Sequence, residues 1–485
     1  MEQVYHAITL LWFNVYWFAV AAITLRVVFK RRAIGVSFAW LMIIYVLPLV
    51  GILAYLLFGE LNLGRKRAKR AKQTFGPYAR WFRRAYRDCL PDTEALRPYG
   101  KSINALCERQ LGISALSGHK LSLQSIPAQI LTQLVEDIAA AQHSIHIEFY
   151  IWYPGGLADE VAEALCQAAA RGVSIKLLLD AAGSREFFNS QWPETLTDAG
   201  VEVVAALNVS PFRMFFQRLD LRLHRKIVVI DNLIAYTGSM NLVDPDYFKV
   251  GSNIGKWVDI MVRIAGPAVS VLDCIHAWDW ENETQERHFS TPPAQQSCPA
   301  VAPLDVVQVI PSGPGMPEEI IHQALLQSIY QARKSIVITT PYLVPSELLL
   351  FALESAARRG IRLDIIVPGR NDSLMVEWAS RAFFGELLSA GVRLHRYNGG
   401  MLHTKSVVID DTHCLVGTVN LDMRSLWLNF EVTLAIDDPK FTEQLSQLQR
   451  RYLENTTEID ARQWRQRPLL KRLFEQFFYL FSPLL

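Results

Sequence analysis

The sequence is short of several features that would narrow its function. Its net charge is only +2 over 485 residues, so it lacks the basic excess of a nucleic-acid-binding protein, and no nucleic-acid partner is expected. Its six cysteines (Cys89, Cys107, Cys166, Cys274, Cys298 and Cys414) have no metal-ligand spacing. They read as free cytosolic thiols, not as a zinc site or a disulfide framework. Charge is missing altogether from Gln3 to Leu25, and again from Ala33 to Phe58, with Arg26, Lys30, Arg31 and Arg32 between. A signal peptide would carry its positive charges before a shorter apolar run, and here they follow. Each stretch is long enough to cross a bilayer as a helix. A transmembrane hairpin over residues 1–62 is expected, with spans near 4–26 and 34–58 and a kink at Pro48.

Residues 63–120 read as a basic juxtamembrane linker that opens with "GRKRAKRAK", Gly64 to Lys72. Beside a membrane span, such a run marks a cytoplasmic flank near anionic headgroups. The Lys30–Arg32 loop is basic as well. The larger cluster favours a cytoplasmic carboxyl-terminal part on a multi-pass membrane anchor.

What the chain does have is a duplication. "LHRKIVVIDN" at Leu223 returns as "LHTKSVVIDD" at Leu402. "HSIHIEFY" at His143 matches "KSIVITTP" at Lys334, "RGVSIKLLLD" at Arg171 matches "RGIRLDIIVP" at Arg359, and "AGVEVV" at Ala199 matches "AGVRLH" at Ala390. Apolar runs alternate with helical spacing, as in Asp159–Ala170 and Ser346–Arg358. The expected fold is therefore α/β: two sandwich repeats, 121–289 and 305–455, sharing one active site, joined by a linker at 290–304 of composition "STPPAQQSCPAVAP". Residues 456–485 form a carboxyl-terminal amphipathic segment.

Each His-x-Lys-x-x-x-x-Asp is followed in the same register by Gly-Ser/Thr-x-Asn: Gly238, Ser239 and Asn241, then Gly417, Thr418 and Asn420. Asp259 and Glu431 align further on. Duplicated packing explains Val228, Val229 and Ile230. It does not explain the retention of His224 with Lys226 and His403 with Lys405, because burying an unpaired lysine is costly. Two imidazoles, two ammonium groups, two amides and two hydroxyls around a pseudo-twofold axis suit a phosphate oxyanion without metal or cofactor. One ring, neutral, would attack phosphorus. The other, protonated, would release an alkoxide. Asp259 or Glu431 behind each ring would fix the tautomer. Asp231 and Asp410, at the strand ends, would brace the site.

This pattern resembles the phospholipase D superfamily over roughly Gln124 to Leu453. With the amino-terminal spans, "TGSMNLVDP" and "GTVNLDMRSLWLNFE", the chain resembles the two-span bacterial cardiolipin synthases. The resemblance implies a covalent phosphohistidine and no metal. It implies transfer of a phosphatidyl group from one phosphatidylglycerol to the glycerol hydroxyl of another, giving cardiolipin and free glycerol at an anionic membrane. It also implies roles for His224, Lys226, Asp231, His403, Lys405, Asp410, Ser239, Asn241, Thr418, Asn420 and Glu431, with His224 as nucleophile and His403 as acid. Asp259 departs, being the shorter acid where the second repeat has Glu431.

Two segments bear on lipid transfer. "VSPFRMFFQR", Val209 to Arg218, reads either as a loop dipping into the interface or as packing over the first motif. "RPLLKRLFEQFFYLFSPLL" from Arg467 reads as an interfacial helix in preference to a soluble docking helix. A hydrolase releasing phosphatidic acid, a nuclease and a silent anionic-lipid scaffold are the competing readings.

Overall fold

The computed structural model describes residues 2–30, 34–59, 90–91, 96–208, 220–286, 306–317 and 319–482. The basic run at 64–72, the segment 209–218 and the linker 290–303 lie outside the described residues. The rest forms two compact units, one holding the amino-terminal helices and the other both halves of the duplicated body.

In the first unit Glu2–Phe29 is one helix, and Leu10–Phe29 within it is long and apolar enough to cross a membrane. The second expected span is two shorter helices, Ile34–Val46 and Pro48–Phe58. Pro48 is the cause: it has no N–H to continue the ladder, its ring disfavours a preceding helical residue, and Leu47 lies outside the helical region. Val20, Val27, Ile44 and Tyr55 pack together, with Trp40 edge-on to Tyr55 at 5.4 Å. Trp12, Phe18 and Leu49 point outward, the inverse of a soluble bundle.

The second unit contains two mixed sheets of the same plan. The seven-stranded sheet runs Lys120–Gln124, Met261–Ala265, Ile234–Gly238, Lys226–Ile230, Ser144–Phe149, Ser174–Asp180, Glu202–Ala206. Its last three strands are parallel and the others antiparallel. Helices such as Pro127–Ala140 and Leu157–Ala170 supply the crossovers. In the nine-stranded sheet Ser406–Ile409 lies between Ser335–Thr339 and His413–Gly417, as Lys226–Ile230 lies between its own neighbours in the first. Apolar runs buried on both faces explain why these strands do not alternate polar and apolar residues.

Two further strands extend the second sheet beyond residues 305–455. Leu116–Ser117 pairs with Val306–Ser312, and Thr456–Glu458 pairs with Arg393–Tyr397, so both edges of the second sheet are covered by chain from outside the second repeat. Nor is all of 63–120 linker. Pro98–Leu111 is a helix stopped by Gly112 in the left-handed region, and Gln110 donates to Gln323 of the second repeat at 3.0 Å.

Candidate active site

Each motif strand begins at or just after its lysine, so the histidines do not sit on the sheet ladder beside the lysines. They occupy the extended segment that enters the strand, and that segment pairs with the opposite repeat. Leu223 bridges Phe430, and Met401–Leu402 runs parallel to Trp257–Val258. The His224 amide donates to the Phe430 carbonyl at 2.9 Å, and the His403 amide to the Val258 carbonyl at 2.9 Å. Both contacts come one residue before the opposite repeat's acid. This sets the pairing: His224 Nδ1 meets Glu431 Oε2 at 2.8 Å, and His403 Nδ1 meets Asp259 Oδ1 at 2.8 Å. Each ring is thus held by the other repeat. With Nδ1 engaged on a carboxyl, Nε2 of each ring is the nitrogen left for chemistry.

The remaining motif residues fall into four groups. Ser239 donates to Asp259 at 2.6 Å and Thr418 donates to Glu431, so these hydroxyls orient the acids. Lys226 Nζ donates to the His224 carbonyl at 2.8 Å and Lys405 Nζ to the His403 carbonyl at 2.7 Å, which leaves each ammonium with further N–H donors. Asn241 and Asn420 are buried, and Oδ1 of each lacks a hydrogen-bond partner among the described residues. Asp231 and Asp410 sit at the far strand ends, in left-handed turns with φ 52° and 53°. Asp231 accepts from the amides of Gln142, His143 and Ser144 at 2.7–2.8 Å. Asp410 accepts from Arg333, Lys334 and Ser335, and from Tyr99 at 2.6 Å. Both therefore pin the start of the neighbouring central strand and touch neither histidine.

Residues 134–253 and 325–452 match the family described as "Cardiolipin synthase, PLD-like domain", and residues 17–60 match "Phospholipase_D-nuclease N-terminal". Cardiolipin synthase A of Yersinia pseudotuberculosis serotype O:1b (strain IP 31758) is 52% identical over 482 residues, with 98% of both chains covered. The chain belongs to the cardiolipin synthase family. Cardiolipin synthase A of Yersinia pestis has the same identity and coverage. The crystal structure of phosphatidylserine synthase from Haemophilus influenzae Rd KW20 superposes with a TM-score of 0.56 at 18% identity, covering 79% of this chain and all of that one, a likeness of fold.

In this cardiolipin synthase family member the electrostatics break the twofold symmetry. Burial, then Lys226 and Lys405, hold His224 well below its ordinary range. Burial lowers His403 to about 4, against the pull of Asp259. Burial pushes Glu431 up to about 8, opposed by Lys226, Thr418 and Asn429. Burial would raise Asp259 too, but His403, Lys405 and Ser239 outweigh it and hold it below the usual carboxylate range. The acid behind His403 is thus a fixed anion, while the acid behind His224 titrates near neutral pH. Burial also lowers Lys226 to about 8 and Lys405 well below the ordinary lysine value. A bound phosphate anion would restore charge to such groups. Among the described residues no group of three or more His, Cys, Asp or Glu is arranged to hold a metal ion.

Several contributors were not singled out from sequence. Tyr150 lies 4.9 Å from the His224 ring and Trp257 4.3 Å from the His403 ring, centroid to centroid. Asp180, buried at the end of its strand, accepts from Ala182, Gly183 and Leu223, and so fixes the approach to His224. Arg225, between the motif His and Lys, is fully buried. It donates to the Glu431 carbonyl at 3.0 Å and the Ser312 carbonyl at 3.2 Å and pairs with Asp279. Thr404, its counterpart, reaches the Val258 carbonyl at 3.2 Å. A charged residue inside an apolar strand entry, at "HRK", was the available signal for Arg225.

Proposed function

We propose that the protein is a phosphatidyltransferase that makes cardiolipin and glycerol from two molecules of phosphatidylglycerol. The observation that carries this reading is the crossed bracket, in which His224 is held by Glu431 and His403 by Asp259, because it brings two imidazoles and two lysines to a single buried site. His224, the ring held well below its ordinary range, attacks phosphorus through Nε2. The phosphorus–oxygen bond to the glycerol headgroup breaks, and protonated His403 gives its proton to the departing alkoxide. Neutral His403 then takes the proton of the terminal hydroxyl of a second phosphatidylglycerol. That oxygen attacks phosphorus, the phosphorus–nitrogen bond breaks, and cardiolipin leaves. Lys226 and Lys405 meet the charge on the equatorial oxygens, a type of stabilisation worth roughly 3–4 kcal/mol per donor. The fixed anion Asp259 favours the protonated form that His403 needs as an acid.

A phosphatidyl ester of p-nitrophenol tests the assignment, because its leaving group needs no proton. Lipid-labelled protein should accumulate in His403→Ala and be absent in His224→Ala. Label on the reverse pair would exchange the two roles. Product analysis decides between transfer and hydrolysis. Cardiolipin that falls as glycerol is added is the expected result; phosphatidic acid alone would make the enzyme a hydrolase, and no turnover would leave a lipid-binding scaffold.

The amino-terminal helices support a hairpin anchor in the bacterial cytoplasmic membrane, with the catalytic unit on the cytoplasmic side. Reporter fusions after residues 60 and 485 check this placement, and a periplasmic signal from either would overturn it.

A further inference from the structure

The helix Leu469–Tyr479 is built inside out. Glu475 is 0% exposed, whereas Leu470 is 66%, Phe477 54% and Leu480 72% exposed. The helix packs on Leu374–Ala390 through Glu475 and through aromatic side chains: Glu475 bonds Arg467 at 2.7 Å and Arg381 at 3.2 Å. Trp378 meets Phe474 and Phe478, and Phe383 meets Tyr479. A helix that docks by its glutamate and turns its leucines outward resolves the two readings of this segment into one: it is fixed to the body and presents an apolar face.

Beside it opens a groove of about 780 Å³, lined by Arg358, Arg465, Arg467, Arg472, Leu469 and Leu473. Arg358 is paired with Glu354 at 3.0 Å and Arg467 with Glu475. Arg465 and Arg472 have no ion-pair partner among the described residues, against one further lining carboxylate, Glu386. Trp464 forms part of the wall. It is 8% exposed, yet its Nε1 has no hydrogen-bond partner among the described residues. An added Cβ at Gly385 would find Nε1 as its nearest atom, at 4.0 Å. The cations of Arg467, Arg381 and Arg396 stand 4.3, 5.2 and 5.9 Å from the Trp464 ring. Buried orphan donors are rare in native proteins, and one in the wall of a groove that also carries the unpaired Arg465 and Arg472 points to an anionic oxygen acceptor.

We propose that this groove binds the phosphate of an anionic membrane phospholipid, at a site separate from the catalytic histidines, while Leu469, Leu470 and Leu473 meet its acyl region. The arginines match the charge and the outward leucines fix the source of the phosphate as a lipid in a bilayer, not a soluble anion. None of the groove-lining residues contributes to the catalytic bracket. The inference holds whichever histidine is the nucleophile.

Hydrogen exchange on the full chain in phosphatidylcholine nanodiscs, with and without phosphatidylserine, tests the site. Phosphatidylserine is anionic but lacks the glycerol headgroup of the proposed substrate. At lipid about ten times its Kd, exchange of amides in 461–476 should slow by about tenfold in the native chain. The effect should vanish in Arg465→Gln/Arg472→Gln and weaken in Trp464→Phe, which keeps the ring and removes the N–H. Unchanged exchange in Lys226–Ile230 shows that these variants are folded. Equal protection in native and double-variant protein, equal protection in zwitterionic discs, or protection by inorganic phosphate in place of phosphatidylserine would each overturn the proposal.

Discussion

The two repeats share a strand plan, a motif and a pattern of crossed contacts, yet they do not provide the same chemistry. His224 faces Glu431, an acid titrating at about 8 with Thr418 and Asn429 donating to it. His403 faces Asp259, an anion held below its usual range with Ser239 donating to it. The first strand entry carries the buried cation Arg225, the second the small hydroxyl Thr404. A duplicated site thus becomes directional through differences behind the reacting rings. Replacing both histidines by the same residue therefore need not have the same consequence.

The largest expected effect is shared by the two halves. His224→Ala or His403→Ala should lower cardiolipin formation by about 10⁴-fold or more, by analogy with loss of a nucleophile–base pair. The phosphoenzyme assay then distinguishes them. Next come the lysines: Lys226→Met and Lys405→Met should each cost about 10²–10³ in kcat with little change in KM, since their donors matter most in the transition state. A rise in KM alone would make them ground-state anchors.

The acids probe the asymmetry most directly. In the proposed mechanism, the step that needs protonated His403 is lost as pH rises through its pKa. Asp259 opposes the lowering of that pKa by burial, so Asp259→Asn lowers it further and moves the alkaline fall of kcat/KM to more acidic pH, with about tenfold less activity at neutral pH for each unit moved. Glu431→Gln replaces a group that is partly neutral already at pH 7, so its profile should move less. Equal displacement by the two substitutions would remove the electrostatic distinction between repeats.

Smaller effects fall on the frame. Arg225→Met removes the buried guanidinium paired with Asp279 and should destabilise the fold by about 3–5 kcal/mol. Thr404→Ala should cost only about 1 kcal/mol. Denaturant midpoints check the difference. Asp410→Ala should be slightly worse than Asp231→Ala, because it also removes the charged acceptor of the Tyr99 hydroxyl and leaves only the Gln331 carbonyl, at 3.0 Å.

The alternation of strand and helix around each motif, the α/β class and the pairs His224–Lys226 and His403–Lys405 were legible in the sequence, because local apolar periodicity and duplication are recorded residue by residue. The break at Pro48 was legible for the same reason, since proline acts on its own backbone. Which acid serves which histidine was not legible. Glu431 and His224 are joined only when the bridge from Leu223 to Phe430 forms across the repeat interface, a contact of high sequence separation with no local signature. The same limit hid Arg225, Asp180 and the docking of Pro98–Leu111, all defined by partners far along the chain. Sequence alone determined the elements and the chemical groups each repeat carries. Only tertiary structure decided how those groups are exchanged between repeats and which of them are buried, because hydrogen-bond partners and desolvation are properties of the assembled fold.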